Sequence, residues 1–202
     1  MRQLGYEKFY LIGHDHGARV SHRLALDFPK VLIKLVLLDI APTTIMYANT
    51  DQDFASAYYH WFFLIQPYPL PEKLILGNPE YFLTHCLRSW SSDISLFSKK
   101  AINEYLRCFC KEETIHATCE DYRASATIDI IHDQDDSQNK ITSPLLVMWG
   151  NKGIIGRKYN VLETWKSRAV NVYTKGIDCG HFLAEESLMK TYEAIFQFFN
   201  HS

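Results

Sequence analysis

The stretch Gly13-His14-Asp15-His16-Gly17 constrains this chain more than any other. An apolar run, Phe9-Tyr10-Leu11-Ile12, leads into it, and Val20, Leu24 and Phe28 follow at helical spacing. Strand, tight turn and helix, with an acid at the apex of the turn, predict a nucleophile elbow. The two glycines suit it, because a side chain aimed outward from so sharp a bend leaves little room for neighbouring Cβ atoms. Asp15 can also be read as a plain helix N-cap. The strand before it and the helix after it favour the elbow. A serine at that apex attacks acyl carbonyls. A carboxylate instead displaces a leaving group from carbon and forms an ester that water must then cleave.

The 202 residues suit one domain, or one domain with an inserted subdomain, and a 47% hydrophobic content allows a sizeable core. A net charge of −2 gives no reason to expect nucleic acid or an anionic membrane as partner. The apolar runs are far shorter than a bilayer span, and no signal peptide opens the chain. Cys86, Cys108, Cys110, Cys119 and Cys179 lack metal-type spacing, so reduced and mostly buried thiols in a cytoplasmic protein are expected.

After the elbow helix, Leu32 to Ile40 (LIKLVLLDI) reads as a strand buried on both faces, as a parallel sheet requires. From about residue 46 to 140 the texture is helical and aromatic, interrupted by Pro67, Pro69 and Pro71. Strands return at Pro144 to Gly150 and at Val170 to Tyr173. A helix over Leu183 to Phe199 aligns Leu188, Tyr192, Ile195, Phe196 and Phe199 in one stripe. The order predicts an α/β fold, a parallel sheet flanked by helices, with core residues 1–45 and 141–202 and a helical cap at 46–140.

A nucleophilic Asp needs a base to activate water against its ester, and an acid to orient that base. Cys179-Gly180-His181-Phe182 falls in the turn between the last strand and the last helix, which makes His181 the expected base. The loop after Trp149 (GNKGIIGRKYN) holds no acid, whereas Asp39 stands at the end of the strand after the elbow helix. Asp39 is therefore the expected orienting acid, against the plainer reading of a strand-end turn residue.

GHDHGARVSHRLALDFP, LVLLDIAPT, AYYHWFFLIQPYPLPEKLI, CEDYRASATID and GHF together resemble the fluoroacetate (haloacetate) dehalogenases, and the resemblance covers nearly the whole chain. It implies the carboxy-terminal part of an α/β-hydrolase with an inserted cap. Asp15 would be the nucleophile, His181 the base and Asp39 the acid. It also implies that His60, Trp61 and Tyr122 of the cap hold the departing halide. Imidazole N–H, indole N–H and phenol O–H are three neutral donors for an ion that leaves poorly unaided. By periodicity alone His60 and Trp61 read as core residues of an aromatic helix. No metal or organic cofactor is implied.

The chain departs from the family in two places. The family clamps the substrate carboxylate with an Arg directly after the nucleophile and another three further on. Arg19 matches the second, but position 16 is His, which is only partly charged at neutral pH and lacks the two-pronged contact. The family also implies further βα units before the elbow strand, including a loop whose N–H completes the oxyanion hole. The expected partners are a small-molecule haloacid and, through an open edge at the elbow strand, a second copy in a homo-oligomer. Two rival readings are an epoxide hydrolase, for which Tyr58, Tyr59 and Tyr122 keep phenols in the cap, and an inactive truncated remnant.

Overall fold

The computed structural model of the chain describes residues 1–200. The chain divides into two units, Met1–Pro42 with everything from Asp135 onward, and Thr43–Gln134.

The first unit is built on four parallel strands in the order β1 (Phe9–His14), β2 (Leu32–Leu38), β3 (Leu145–Gly150) and β4 (Val172–Ile177). Leu35 pairs with Leu11 on one side and Leu145 on the other, and Leu146 in turn pairs with Tyr173. The central strands β2 and β3 bury Leu35, Val36, Leu37, Leu145, Val147 and Met148 almost completely, which is why their sequences are branched and apolar without alternation. Strands β1 and β4 each have one neighbour among the described residues, and their residues alternate between covered and exposed.

The elbow helix α1 (His16–Asp27) lies against β1 and β2, and its buried residues are Ala18, Ser21, His22 and Ala25. The apolar stripe expected to face the core does not: Val20 is 64% exposed and Phe28 59%. The approach of helix to strand explains the inversion. A Cβ built on Gly13 would fall 2.5 Å from the Ser21 Oγ and 2.7 Å from the Ala18 Cα, so only small side chains fit between them.

The second unit contains α2 (Thr43–Ala48), α3 (Gln52–Ala57), α4 (His60–Phe63), α5 (Leu70–Leu76), α6 (Pro79–Trp90), α7 (Lys99–Phe109) and α8 (Glu112–Ser125). Next, α9 (Ile128–Asp135) leads back to the first unit. Arg123 ties α8 to α5 and to the segment between α4 and α5. Its Nη1 and Nη2 donate to Glu72 Oε1 (2.7 Å) and Oε2 (3.1 Å), and its Nε and Nη2 donate to the Gln66 carbonyl. A planar guanidinium meeting both oxygens of a buried carboxylate gives this contact its direction.

Back in the first unit, α10 (Ile154–Lys158) and α11 (Val161–Lys166) join β3 to β4. The single helix expected over 183–199 is two, α12 (Leu183–Glu186) and α13 (Leu188–Asn200), broken at Ser187. Helix α13 packs Thr191, Ala194 and Phe198 inward, with Ala194 and Phe198 against Val36, Leu38, Leu146, Met148 and Ile177. Leu188, Tyr192 and Phe196 are each more than half exposed. The buried face is thus rotated by roughly a quarter-turn from the stripe read in the sequence. Lys34 contributes to that orientation by donating to the Phe198 carbonyl at 2.8 Å, near the end of α13. No helix among the described residues is long and apolar enough to cross a membrane.

Candidate active site

Asp15 sits between β1 and α1 with φ 51° and ψ −126°, a left-handed conformation that costs a non-glycine residue free energy. The steric demand of the elbow falls on Gly13 alone. A Cβ on Gly17 would meet nothing within 4 Å, because the helix has already begun there and that position faces open space. The Asp15 side chain remains 39% exposed, so the apex carboxylate is reachable.

Asp39 follows β2 and shares the left-handed geometry, with φ 52°. It is buried, and each carboxylate oxygen has a partner. Oδ1 accepts from the Gly150 N–H at 2.9 Å, and Oδ2 accepts from His181 Nδ1 at 2.6 Å. The acid-free loop after Trp149 therefore serves the site through its backbone. A Cβ on Gly150 would lie 1.8 Å from the Gly180 carbonyl oxygen, so the end of β3 and the turn carrying His181 touch main chain to main chain.

His181 is buried in the turn after β4. With Nδ1 held by Asp39, its Nε2 lies 4.0 Å from Asp15 Oδ2. The structure thus brings Asp15, Asp39 and His181 together from three strand ends. The 4.0 Å gap is too long for a direct hydrogen bond, but a water seated beside the pair can reach both groups.

The charges are strongly coupled. Burial alone would push the His181 imidazole down, but the hydrogen bond from Asp39 and the charges of Asp39, Asp15 and Glu186 override it and raise it above the ordinary histidine range. Burial likewise opposes ionisation of Asp15. The positive charge of His16, His181, His14 and Arg19 overcomes that and holds its carboxyl well below the usual carboxylate range. Asp15 is an anion at any working pH. Two residues before His181, burial pushes the Cys179 thiol up to about 12, so it carries no thiolate.

The substrate-binding candidates also lie at the elbow. His16 opens α1, and Arg19 one turn on donates from Nη1 to the Ala41 carbonyl at 3.2 Å. Both add to the positive field at Asp15, as does the N-terminal end of α1 itself.

In the helical unit, His60, Trp61 and Tyr122 are all buried and their rings meet edge to face. Tyr122 lies 5.6 Å from His60 and 6.2 Å from Trp61 between centroids. Trp90 joins at 4.4 Å from His60, and Phe54 at 5.7 Å from Trp61.

A family model described as the alpha/beta hydrolase fold matches residues 1–188. The chain belongs to that family. The fluoroacetate dehalogenase of Burkholderia sp is 38% identical over 186 residues, covering 92% of this chain and 61% of that protein. The soluble epoxide hydrolase of Corynebacterium sp. (strain C12) is 25% identical over 219 residues, covering 97% of this chain and 68% of that one. Among solved structures, an α/β hydrolase from Nostoc sp PCC 7120 matches with a TM-score of 0.98 at 60% identity, over 100% of this chain and 69% of the other. This α/β hydrolase chain therefore spans about 61% of the length of the fluoroacetate dehalogenase it resembles.

Three features of this α/β hydrolase were not assigned a role from the sequence: Gly150, His14 and Glu186. Gly150 acts through a backbone N–H that no side-chain pattern reveals. His14 lies inside the elbow motif, and its place directly before the apex Asp15 is the signal. Glu186 stands four residues after Phe182, a helical reach that is readable once the turn is located. Glu72, His116 and Glu120 lie close enough to share an ion, but the Arg123 guanidinium already bonds both carboxylates.

Proposed function

We propose that this chain carries the hydrolytic centre of a haloacetate dehalogenase, with Asp15 as nucleophile, His181 as base and Asp39 as its orienting acid. One observation carries the reading: a reachable carboxylate at the elbow apex faces the Nε2 of a histidine whose Nδ1 is bound to a second, buried carboxylate. The likeness to fluoroacetate dehalogenase supports the substrate class.

In this reading Asp15 attacks the α-carbon from the side opposite the halogen. A C–O bond forms, the C–X bond breaks, and the halide leaves with the electron pair; the family resemblance implies that His60, Trp61 and Tyr122 receive it. His16 and Arg19 hold the substrate carboxylate. The product is an Asp15 ester, so one negative charge beside His181 is gone. Asp15 was one of the groups raising the His181 pKa. Its loss lets His181 shed a proton and become a base at the moment a base is needed. Neutral Nε2 then takes a proton from water, hydroxide adds to the ester carbonyl, and the proton passes to the departing alkoxide of glycolate.

Halide release from fluoroacetate and chloroacetate tests the reading, together with mass spectrometry of the Asp15 peptide in a His181→Gln variant. Halide release in one burst, with the ester retained on Asp15, is the expected result. An Asp15 peptide that never gains mass would remove the assignment. The epoxide hydrolase likeness favours a second reading, in which the same carboxylate opens an epoxide and a phenol such as Tyr58, Tyr59 or Tyr122 protonates the oxygen. Diol formation without halide release would select it. Absence of both would leave the inactive remnant.

A further inference from the structure

The turn that carries His181 is held by its main chain as well as by its imidazole. Glu186, the last residue of α12, accepts the Gly180 N–H on Oε2 at 2.9 Å and the Phe182 N–H on Oε1 at 3.0 Å. One carboxylate thus holds the two N–H groups that flank the histidine. His14, the last residue of β1, has its Nε2 2.9 Å from the His181 carbonyl oxygen, and its ring lies 4.5 Å from the His181 ring, tilted by 38°. A carbonyl can only accept, so His14 carries the proton on Nε2. Burial and the neighbouring His181 lower the His14 pKa.

The bond to Asp39 fixes one ring nitrogen, but by itself it allows the imidazole to swing with any movement of the turn. Nε2 must meet water and the ester carbonyl together, and a displacement of about 1 Å costs roughly 10²-fold in rate. The Gly180 main chain also touches the end of β3, so the turn is gripped from three elements.

We propose that His14 and Glu186 are positioning residues that clamp the main chain of His181 and so set the reach of its Nε2 to the Asp15 ester. The proposal rests on the assignment of His181 as the base. It assigns the residue before the nucleophile to the second half-reaction. In that role His14 acts through the base that cleaves the ester.

The test uses the full chain as wild type, Glu186→Ala, Glu186→Gln and His14→Phe, the last keeping a ring against His181 but no donor. Proton NMR follows the far-downfield signal of the His181 Nδ1–H in its bond to Asp39. Rapid-quench halide assays separate the first-turnover burst from steady state. In Glu186→Ala and His14→Phe the signal should broaden or vanish at temperatures where circular dichroism shows the protein folded. The burst should persist while steady-state release falls about 10²-fold. Glu186→Gln, which keeps one acceptor, should recover part of both. Wild-type line width and unchanged steady-state release in the folded variants would overturn the clamp. If Glu186→Ala does not fold, His14→Phe and Glu186→Gln decide by the same criteria. A wild type that releases no halide would sink the dehalogenase reading, and the NMR arm would still decide the clamp.

Discussion

Asp39 in the first unit and Glu72 in the second are both carboxylates withdrawn from water, and they differ in what neutralises them. Asp39 receives a histidine and a backbone N–H. Glu72 receives both prongs of Arg123, with His116 Nδ1 at the margin, 3.3 Å away. An arginine stays charged at any pH a protein survives, so the Glu72 pair can only hold helices together. A histidine releases its proton within the working range, so the Asp39 pair can move one. In the proposed reading the same buried charge serves as a staple in one unit and as a proton handle in the other.

Asp39→Asn should break that contrast with the largest effect. The amide occupies the same space but favours the wrong imidazole tautomer, and in the proposed reading a loss of about 10⁴-fold in steady-state halide release is expected. Thermal stability should change far less, which a calorimetric scan of the same preparation checks. Equal losses in melting and in turnover would erase the distinction between staple and handle.

Arg123→Ala is the converse. It leaves Glu72 buried and uncompensated, a change that typically costs about 3–5 kcal/mol. Amide exchange along α5 and α8 should accelerate strongly, while the first-unit strands keep their protection. Unchanged protection in α5 and α8 would show that Glu72 finds another partner.

His16→Arg converts a titratable cation at the elbow into a fixed one. In the proposed reading it should lower the Michaelis constant for haloacetates, since charge-assisted hydrogen bonds are worth roughly 1.5–3 kcal/mol. Kinetics on chloroacetate check this. An unaltered constant would mean that position 16 does not meet the carboxylate.

The smallest expected effect is on stability against pH, and its sign differs between the units. Arg123 holds Glu72 down from the ordinary 4.5 to about 2. That stabilisation is present above 4.5 and is lost as pH falls towards about 2. His181 is raised above the ordinary 6.5, so its contribution is complete below 6.5 and is lost as pH rises through its higher value. Hydrogen exchange should therefore loosen α5 and α8 on the acid side and the 179–182 turn on the alkaline side. Loosening of both regions in the same direction would contradict the assigned partners.

The legible parts of this molecule were those written in residue type along a strand. The apolar runs at 9–12, 32–40 and 144–150 each became a strand, and Asp39 and His181 stand at strand ends because the chain must turn there. Helix faces were less legible. At α1 the larger apolar residues Val20 and, just past its end, Phe28 are exposed, since the close approach at Gly13 selects for Ala18 and Ser21. In α13 a quarter-turn of the buried face leaves Leu188, Tyr192 and Phe196 uncovered, while Ile195 and Phe199 still pack against the core. Periodicity reports that a helix has two sides, but the distance to the sheet decides which side can fit. The partners of Asp39 and of the His181 turn were least legible, because half of them are backbone groups.

The contact between Gly150 and Gly180 bears on how variants of this chain would be ranked. A methyl group at position 150 would collide with the Gly180 carbonyl, displacing the turn and the N–H that holds Asp39. A scan of single substitutions scored by turnover would therefore place Gly150 beside His181 among the least tolerant positions. Read without coordinates, that ranking would nominate as chemically active a residue that has no side chain at all.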